Sequence, residues 1–185
     1  MFERFFGSII PLDTQLLLRI NDLPHFLIVD ILLFCITAIT TYGIFWLATA
    51  FLLKRRQDLA GLFRVTVIFI ILSFILVEVF LKGVFERSRP SLLFPSINTV
   101  GPRLAELFSS SSFPSGHAYL AFGFIPIFTA FNKRFLGPLL LLALLVAFSR
   151  IYFGKHYPFD VFAGGILGLS IGWLFSWAIR RTQKL

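Results

Sequence analysis

Long apolar runs alternate with short polar segments along most of the chain. The runs lie near residues 26–53, 62–81, 118–131, 135–148 and 159–179. Because a helix needs about 20 mostly apolar residues to cross the hydrocarbon core of a bilayer, this pattern predicts five transmembrane helices. The third and fourth runs are short, so both helices are expected to extend into flanking polar residues, with a tight turn at residues 132–134.

The first 24 residues differ from these runs because charged side chains interrupt them. Asp13, Arg19 and Asp22 break any continuous apolar stretch, which argues against a cleavable signal peptide. We interpret residues 1–24 as an amphipathic segment, with a Phe-rich anchor and a helix near residues 13–20 that lies in the membrane interface or is re-entrant. The predicted fold is an all-α, polytopic membrane helix bundle in one domain over residues 1–185.

Composition supports an integral membrane protein. Hydrophobic residues make up 57% of the 185 positions and charged residues 14%, which exceeds the apolar content that a soluble domain of this size buries. The formal net charge of +8 is better explained by basic cytoplasmic loops and by anionic lipid or phosphate partners than by nucleic acid. The single cysteine, Cys35, excludes a disulfide framework and a multi-cysteine metal site within the chain.

Three polar segments carry candidate chemistry, and the first reads KGVFERSRP at residues 82–90. Lys82 and Arg89 are seven residues apart, so on a helix they share a face about 10 Å apart along the axis and reach the same anion. Pro90 disfavours helix at Arg89, so the second cation is expected where the helix ends. The alternative is that these cations only extend to lipid headgroups.

The second segment, SSSSFPSGHAYLAF, covers residues 109–122. Serines before an apolar run predict a helix start, and the first amides of a helix have no partner within it, so they point at any anion that approaches. Ser115 and His117 are candidate site residues, and Gly116 allows the backbone to come close to a ligand. The alternative is that Ser115 only caps the helix and His117 lies in the membrane interface.

The third segment, SRIYFGKHYPFD, covers residues 149–160. Arg150 is expected to end the fourth helix, and Pro158 to begin the fifth with Asp160 in its first turn. A carboxylate there is stabilised by the helix dipole whatever its function. The functional interpretation is that Asp160 accepts a hydrogen bond from His156, which fixes the tautomer and leaves the other ring nitrogen as a nucleophile or base.

Five spans place the connections 82–116 and 149–158 on the same side of the membrane. The seventeen Lys and Arg residues divide nine to eight between the two sides. Since several of the eight belong to the proposed anion site, we take the nine as the cytoplasmic set. The N-terminus and the three polar segments are then expected on the outer face.

These residues favour phosphate chemistry. Three cations and free helix amides match an anion with several oxygen atoms, above all a phosphoryl group, and two histidines supply a nucleophile and a general acid. A two-metal phosphatase site needs a cluster of carboxylates, whereas the two connections offer Glu86, Glu106 and Asp160. We therefore expect a phosphohistidine mechanism that uses neither a metal ion nor a cofactor.

The three segments resemble, in order, the three motifs of the type 2 phosphatidic acid phosphatase superfamily. The matching residues are Lys82, Arg89 and Pro90 in the first motif, Pro114 to His117 in the second, and Ser149, Arg150, His156 and Asp160 in the third. The resemblance implies a six-helix core, usually all spanning, whereas this chain offers five spans and the N-terminal helix.

The resemblance also implies a role for each matching residue. It implies that His156 attacks phosphorus, that Asp160 orients His156, and that His117 protonates the leaving oxygen. The residues that it implies hold the phosphoryl oxygens are Lys82, Arg89, Ser115, the Gly116 amide and Arg150. Water then hydrolyses the phosphohistidine.

Other classes of protein share parts of this pattern. The soluble vanadate-dependent haloperoxidases have the same motifs, but five apolar runs argue against a soluble enzyme. A non-hydrolytic lipid carrier with an anion site would not need both histidines and the aspartate. Transfer of the phosphoryl group to a second lipid would use the same residues as hydrolysis and is kept as an alternative.

The resemblance extends to undecaprenyl diphosphate phosphatases, lipid A 1-phosphatases and phosphatidylglycerophosphate phosphatases. We therefore expect a phospholipid or glycolipid substrate in the bacterial inner membrane, with the site facing the periplasm or exterior. The best candidates are lipid A 1-phosphate and undecaprenyl diphosphate, and the alternatives are phosphatidylglycerophosphate and phosphatidic acid. The outer loop, residues 83–116, is expected to select the substrate, with Arg103 contacting either a second phosphate or a lipid headgroup.

Overall fold

The computed structural model describes residues 1–53, 61–100 and 111–183. Its helices are α1 (Phe2–Phe6), α2 (Ile10–Asn21), α3 (Leu27–Thr40), α4 (Ile44–Leu53), α5 (Leu62–Phe85), α6 (Pro90–Leu93), α7 (Gly116–Phe131), α8 (Leu136–Tyr152) and α9 (Pro158–Gln183). The described residues contain no strand beyond an isolated bridge between Ser88 and Ser111. The predicted all-α class is therefore confirmed.

Each of the five apolar runs forms helix, but fewer helices than expected meet the length of a span. Within the described part of the chain, three helices are long and apolar enough to cross a membrane: Leu62–Phe85, Lys133–Tyr152 and Pro158–Arg181. Helices α3 and α4 meet the criterion only as a pair, with a bend of 67° between them. Helix α7 is apolar but has 16 residues, so the count is three or four rather than five.

The bend in the first span occurs at a 3-10 turn over Thr41–Gly43. Gly43 has a φ of +79°, a conformation that glycine adopts at little cost. A side chain at this position would also collide with Ile70 on α5. The turn therefore brings Thr41 to the inner side of the bundle, where α3 and α4 meet α7.

Helix α7 lies at the centre of the bundle and packs against α3, α5, α8 and α9. Its contact with α9 depends on Gly164, Gly168 and Gly172, which recur at every fourth residue. A Cβ atom at any of the three would overlap a main-chain carbonyl oxygen of Ser115 or of α7. Small residues at this spacing allow two helix backbones to approach closely, so the glycine stripe is an intramolecular seam.

Aromatic side chains fill the core on the other side of α7. Trp46 stacks on Phe124 with ring centroids 4.5 Å apart, and Phe69 meets Phe124 edge to face at 4.9 Å. All three side chains are completely buried. The outer surface is also apolar, with exposed side chains that include Leu27, Leu52, Val79, Phe162 and Trp173. Such a surface suits hydrocarbon rather than water.

The N-terminal segment is docked on the bundle. Helix α2 buries Asp13, Leu17 and Asn21, which follow one another at intervals of four residues, against α8 and α9. The helix expected near residues 13–20 is therefore present and extends over Ile10–Asn21. Its location in the membrane interface remains a prediction.

The glycine seam predicts a difference between two glycine-to-alanine variants. Gly168→Ala places a methyl group on the carbonyl oxygen of Tyr119 and should destabilise the fold by about 1–3 kcal/mol, the usual cost of overpacking. Gly137→Ala is the matched control, since Gly137 is an exposed residue of α8 whose Cβ would contact nothing within 4 Å. Thermal melting in detergent should show a lower Tm for Gly168→Ala alone. Equal Tm values would show that the seam tolerates a larger residue.

Candidate active site

A cavity of about 830 Å³ lies between the C-terminal half of α5, the start of α7 and the end of α8, with Arg89 and His156 from the connections among its lining residues. Six residues expected from the sequence line it: Lys82, Arg89, Gly116, His117, Arg150 and His156. The structure thus brings residues from all three polar segments to one place. Arg103 and Glu106 lie outside the described residues.

Lys82 and Arg89 both line the cavity, but they do not project from one helical face as the sequence predicts. Helix α5 ends at Phe85 and Glu86 adopts a left-handed conformation, with φ 47° and ψ 40°, so Lys82 and Arg89 do not share a helical face. The chain turns back at Glu86, and Arg89 becomes the N-cap of α6. Lys82 and Arg89 are 5% and 2% exposed, which argues against headgroup contact as their role.

Lys82 has an acidic partner one turn earlier on the same helix. Its Nζ lies 2.6 Å from Oε2 of Glu78, the (i, i+4) pair that the spacing predicts. Glu78 belongs to the π-helical part of α5, Phe74–Leu81, a geometry often found at functional sites. Glu78 is the one carboxylate among the described residues that line the cavity.

Ser115 and Gly116 form the start of α7, as the sequence predicts. Ser115 is the N-cap, and its N–H donates to the carbonyl oxygen of Asp160 at 3.0 Å. Its Oγ is fully buried and has no hydrogen-bond partner among the described residues. The backbone of Ser115 packs directly against Gly164. The glycine seam therefore fixes the end of α7 whose free amides face the cavity.

Arg150 lies in the last turn of α8 and is 7% exposed. Its Nε has no hydrogen-bond partner in the described part of the chain. A buried guanidinium without a full set of partners is costly, and the neighbouring charge of Arg89 adds repulsion. An anion in the cavity would relieve both costs.

His156 is held in one tautomer by the main chain. Its Nδ1 lies 2.8 Å from the carbonyl oxygen of Ser112. Because a carbonyl oxygen only accepts hydrogen bonds, Nδ1 carries the proton and Nε2 keeps its lone pair. Burial, together with the charges of Arg89, Arg150 and Lys82, holds the pKa of His156 well below its ordinary value. The imidazole is therefore neutral at neutral pH.

Asp160 does not make the hydrogen bond to His156 that the sequence predicts. Its Oδ2 lies 3.7 Å from Nδ1 of His156 and instead accepts the N–H of Tyr157 at 2.9 Å. Its Oδ1 accepts a hydrogen bond from Arg87 at 2.5 Å. The carboxylate satisfies a main-chain donor at the first turn of α9, where such donors lack partners within the helix.

His117 lies in the first turn of α7 and faces the bend between α3 and α4. Its Nε2 is 3.2 Å from Oγ1 of Thr41. Thr41 is not among the site residues expected from the sequence. The one signal in its neighbourhood is Gly43, which permits the bend but does not show what the bend brings close.

Asp13 and Arg87 were also missed as partners of the site. Arg87 pairs with Asp160 and, through its other terminal nitrogen, with Asp13 at 2.6 Å. Arg87 was visible as a third basic residue in KGVFERSRP, but Asp13 lies 74 residues away along the chain.

Among the described residues, no group of three or more His, Cys, Asp or Glu side chains is arranged to hold a metal ion.

Comparison with known proteins places the chain in a family. The model of the PAP2 superfamily matches residues 63–184. The bacitracin transport permease protein BcrC of Bacillus licheniformis is 32% identical over 62% of this chain and 56% of its own length. The undecaprenyl-diphosphatase BcrC of Bacillus subtilis is 40% identical over 43% of this chain and 39% of its own length. The chain thus spans about half the length of these curated relatives, or less.

A further curated relative and one solved structure are also similar to this chain. The lipid A 4'-phosphatase of Bacteroides thetaiotaomicron is 45% identical over 34% of this chain and 29% of its own length. The crystal structure of Aquifex aeolicus LpxE matches with a TM-score of 0.72 and 27% identity, and covers 89% of this chain and 94% of that one. With the family model covering most of the chain and all three motifs meeting in one cavity, this integral membrane protein belongs to the PAP2 superfamily.

Proposed function

We propose that this protein removes phosphate from a membrane lipid by metal-independent hydrolysis through a phosphohistidine intermediate. The observation that carries the proposal is the neutral His156, whose Nε2 is free to attack, in a cavity that buried cations surround. Neutral imidazole is a nucleophile, and the cations and helix amides stabilise the charge of a phosphoryl group as it transfers.

The shape of the cavity supports a lipid as the substrate. Beyond the cations, apolar side chains of α5 and α7 line the cavity, among them Ile71, Phe74, Ile75, Val79 and Leu120. Phe74, Ile75 and Val79 are 56%, 53% and 61% exposed on the outer surface of the bundle. The cavity therefore opens sideways onto the surface that suits hydrocarbon, so a lipid reaches it from within the bilayer.

The reaction follows from these positions. Nε2 of His156 attacks phosphorus, so that a P–N bond forms while the bond to the leaving oxygen breaks. His117 donates a proton to that oxygen, and Lys82, Arg89 and Arg150 stabilise the charge on the remaining oxygens. In the second step His117 accepts a proton from water, the water oxygen attacks phosphorus, and the P–N bond breaks.

The relatives narrow the substrate. Since their names include undecaprenyl-diphosphatases and a lipid A 4'-phosphatase, we place a bacterial envelope lipid first, either undecaprenyl diphosphate or lipid A, and the names do not favour the 1-phosphate of lipid A expected from the sequence. Phosphatidylglycerophosphate and phosphatidic acid follow. Transfer of the phosphoryl group to a second lipid uses the same residues, whereas a lipid carrier would not need a histidine fixed as a nucleophile.

The site is proposed to face the periplasm or exterior from the bacterial inner membrane. Burial supports this orientation. Most of the cations on the same side of the membrane as the site are buried within the protein, so they are not counted as loop charges when the two sides are compared. The buried cations on that side are Lys82, Arg87, Arg89, Arg150 and Lys155. The basic loops at the opposite ends of the helices then form the cytoplasmic set.

Removing the charge of Arg150 should change stability and anion binding in opposite directions. In the wild type, the phosphate analogue orthovanadate should raise the Tm in detergent. At a concentration one hundred times its Kd, it should add about 2.7 kcal/mol to the free energy of unfolding. Arg150→Met should raise the Tm without anion, since it removes a buried charge, and should lose most of the response to vanadate. Arg134→Met, an exposed site, should behave as the wild type. An unchanged vanadate response in Arg150→Met would contradict the anion site.

Replacing each histidine tests the mechanism. His156→Ala should abolish phosphate release from lipid, and His117→Ala should lower it by about 10²–10⁴-fold, the range of general acid–base catalysis. His25→Ala is the matched control, because His25 lies outside the cavity and pairs with Asp30. Phosphate release should persist in EDTA, and rapid alkaline quenching should trap an acid-labile phosphoryl label that His156→Ala lacks. Loss of activity in EDTA would contradict the metal-independent mechanism.

A panel of lipids tests the substrate. Phosphate release from undecaprenyl diphosphate and lipid A should exceed release from phosphatidylglycerophosphate and phosphatidic acid. Arg103→Ala should reduce the preference for the first two if Arg103 contacts a second phosphate. An unchanged ranking would remove Arg103 from substrate selection, and appearance of the label on a second lipid would establish phosphotransfer.

A further inference from the structure

Residues 1–21 of the N-terminal segment contact the candidate active site from behind the cavity. Asp13 of α2 is 2% exposed. Its Oδ1 accepts the N–H of Phe159 at 2.7 Å, and its Oδ2 accepts a hydrogen bond from Arg87 at 2.6 Å. Arg87 donates through its other terminal nitrogen to Asp160. One guanidinium therefore bridges a carboxylate of the N-terminal helix and a carboxylate of the third motif.

Aromatic rings fix the plane of this guanidinium. The Cζ of Arg87 lies 3.7 Å from the ring centroid of Tyr157 and 4.2 Å from that of Phe2. Both distances are within the range of cation–π attraction. Helix α1 thus supplies a ring to the same side chain that α2 supplies with a carboxylate.

The same N-terminal segment touches all three motif segments. Phe6 packs against Phe85, which ends α5, against Phe113, which precedes the second motif, and against Phe159, which precedes Asp160. The ring centroids are 5.1–6.1 Å apart in these contacts. Contact with all three segments gives residues 1–21 a direct mechanical connection to the site.

Arg87 reaches His156 by two routes. Its side chain holds Asp160, whose carboxylate is 3.7 Å from Nδ1 of the histidine. Its main-chain carbonyl accepts the N–H of Ser112 at 2.7 Å, and the carbonyl of Ser112 in turn accepts the proton of Nδ1. A displacement of Arg87 would therefore move both groups that set the orientation of the imidazole.

We propose that Asp13 and Arg87 are positioning residues of the phosphoryl-transfer site: Asp13 fixes Arg87, and Arg87 fixes the Ser112 carbonyl and Asp160 around His156. This inference rests on the proposed function for its kinetic readout. A purely structural brace would change the amount of folded protein and leave the turnover of each folded molecule unchanged.

Three variants test the connection. In Arg87→Lys, an ammonium group replaces the planar guanidinium and binds one carboxylate at a time instead of two. We therefore expect kcat to fall about tenfold or more while KM changes little. Asp13→Asn keeps the bond from Phe159 but loses the charge, and kcat should fall by a similar factor. In the double variant, the neutral amide at position 13 no longer needs a cation, so kcat should equal or exceed that of Arg87→Lys alone. Asp22→Asn, at the exposed end of α2, is the matched control.

A spectroscopic readout keeps the inference testable if no lipid is hydrolysed. The chain has three histidines, so ¹⁵N-histidine NMR in lipid should resolve His156. Its proton should lie on Nδ1 in the wild type and in Asp22→Asn, and should be distributed over both nitrogens in Arg87→Lys and Asp13→Asn. An unchanged tautomer in Asp13→Asn, or additive effects on kcat, would overturn the proposal. Inactivity of the wild type with this NMR pattern intact would instead count against the proposed function alone.

Discussion

Buried positive charge is the constraint on which this structure depends. Lys82, Arg89 and Arg150 line one cavity, with Glu78 as the one carboxylate among its described lining residues. Cations removed from water repel one another and lose hydration, so they stay together only if rigid elements hold them. The glycine seam packs α7 and α9 backbone to backbone and so positions the start of α7 beside these cations. An anion with several oxygen atoms would compensate the charge that the fold leaves exposed to the cavity.

Placement of the carboxylates completes this electrostatic design. Asp13 and Asp160 do not line the cavity and pair with Arg87, so their negative charge stabilises a buried cation outside the cavity. Had either carboxylate lined the cavity, it would have competed with an anion there for Arg89 and Arg150. The separation also leaves His156 between cations on one side and Asp160 on the other. The cations therefore favour the neutral form of the His156 imidazole, and in the proposed mechanism Asp160 would stabilise positive charge that develops on it.

Local signals in the sequence predict local features of the site, and long-range contacts supply the rest. Serine before an apolar run and proline at the first turn mark the starts of α7 and α9, and both are confirmed. The end of α5 was not predictable, because Glu86 adopts a left-handed conformation that usually requires glycine. The acceptor for His156 is a main-chain carbonyl, which carries no residue-type signature. Asp13 and Arg87 meet across 74 residues, a pairing that no local periodicity reveals.

For the proposed lipid substrate, the residues of α5 determine which part of the molecule the cavity is able to distinguish. Ile71, Ile75 and Lys82 all line the cavity, so one helix presents apolar side chains first and a cation near its end. Apolar contacts are non-directional, and a methylene group more or less changes discrimination by only about 1–3 kcal/mol. Prenyl and acyl chains therefore both suit the apolar part of the cavity. Under the proposed function, selection among phosphorylated lipids therefore depends on polar groups that contact the headgroup and not on the apolar part of the cavity.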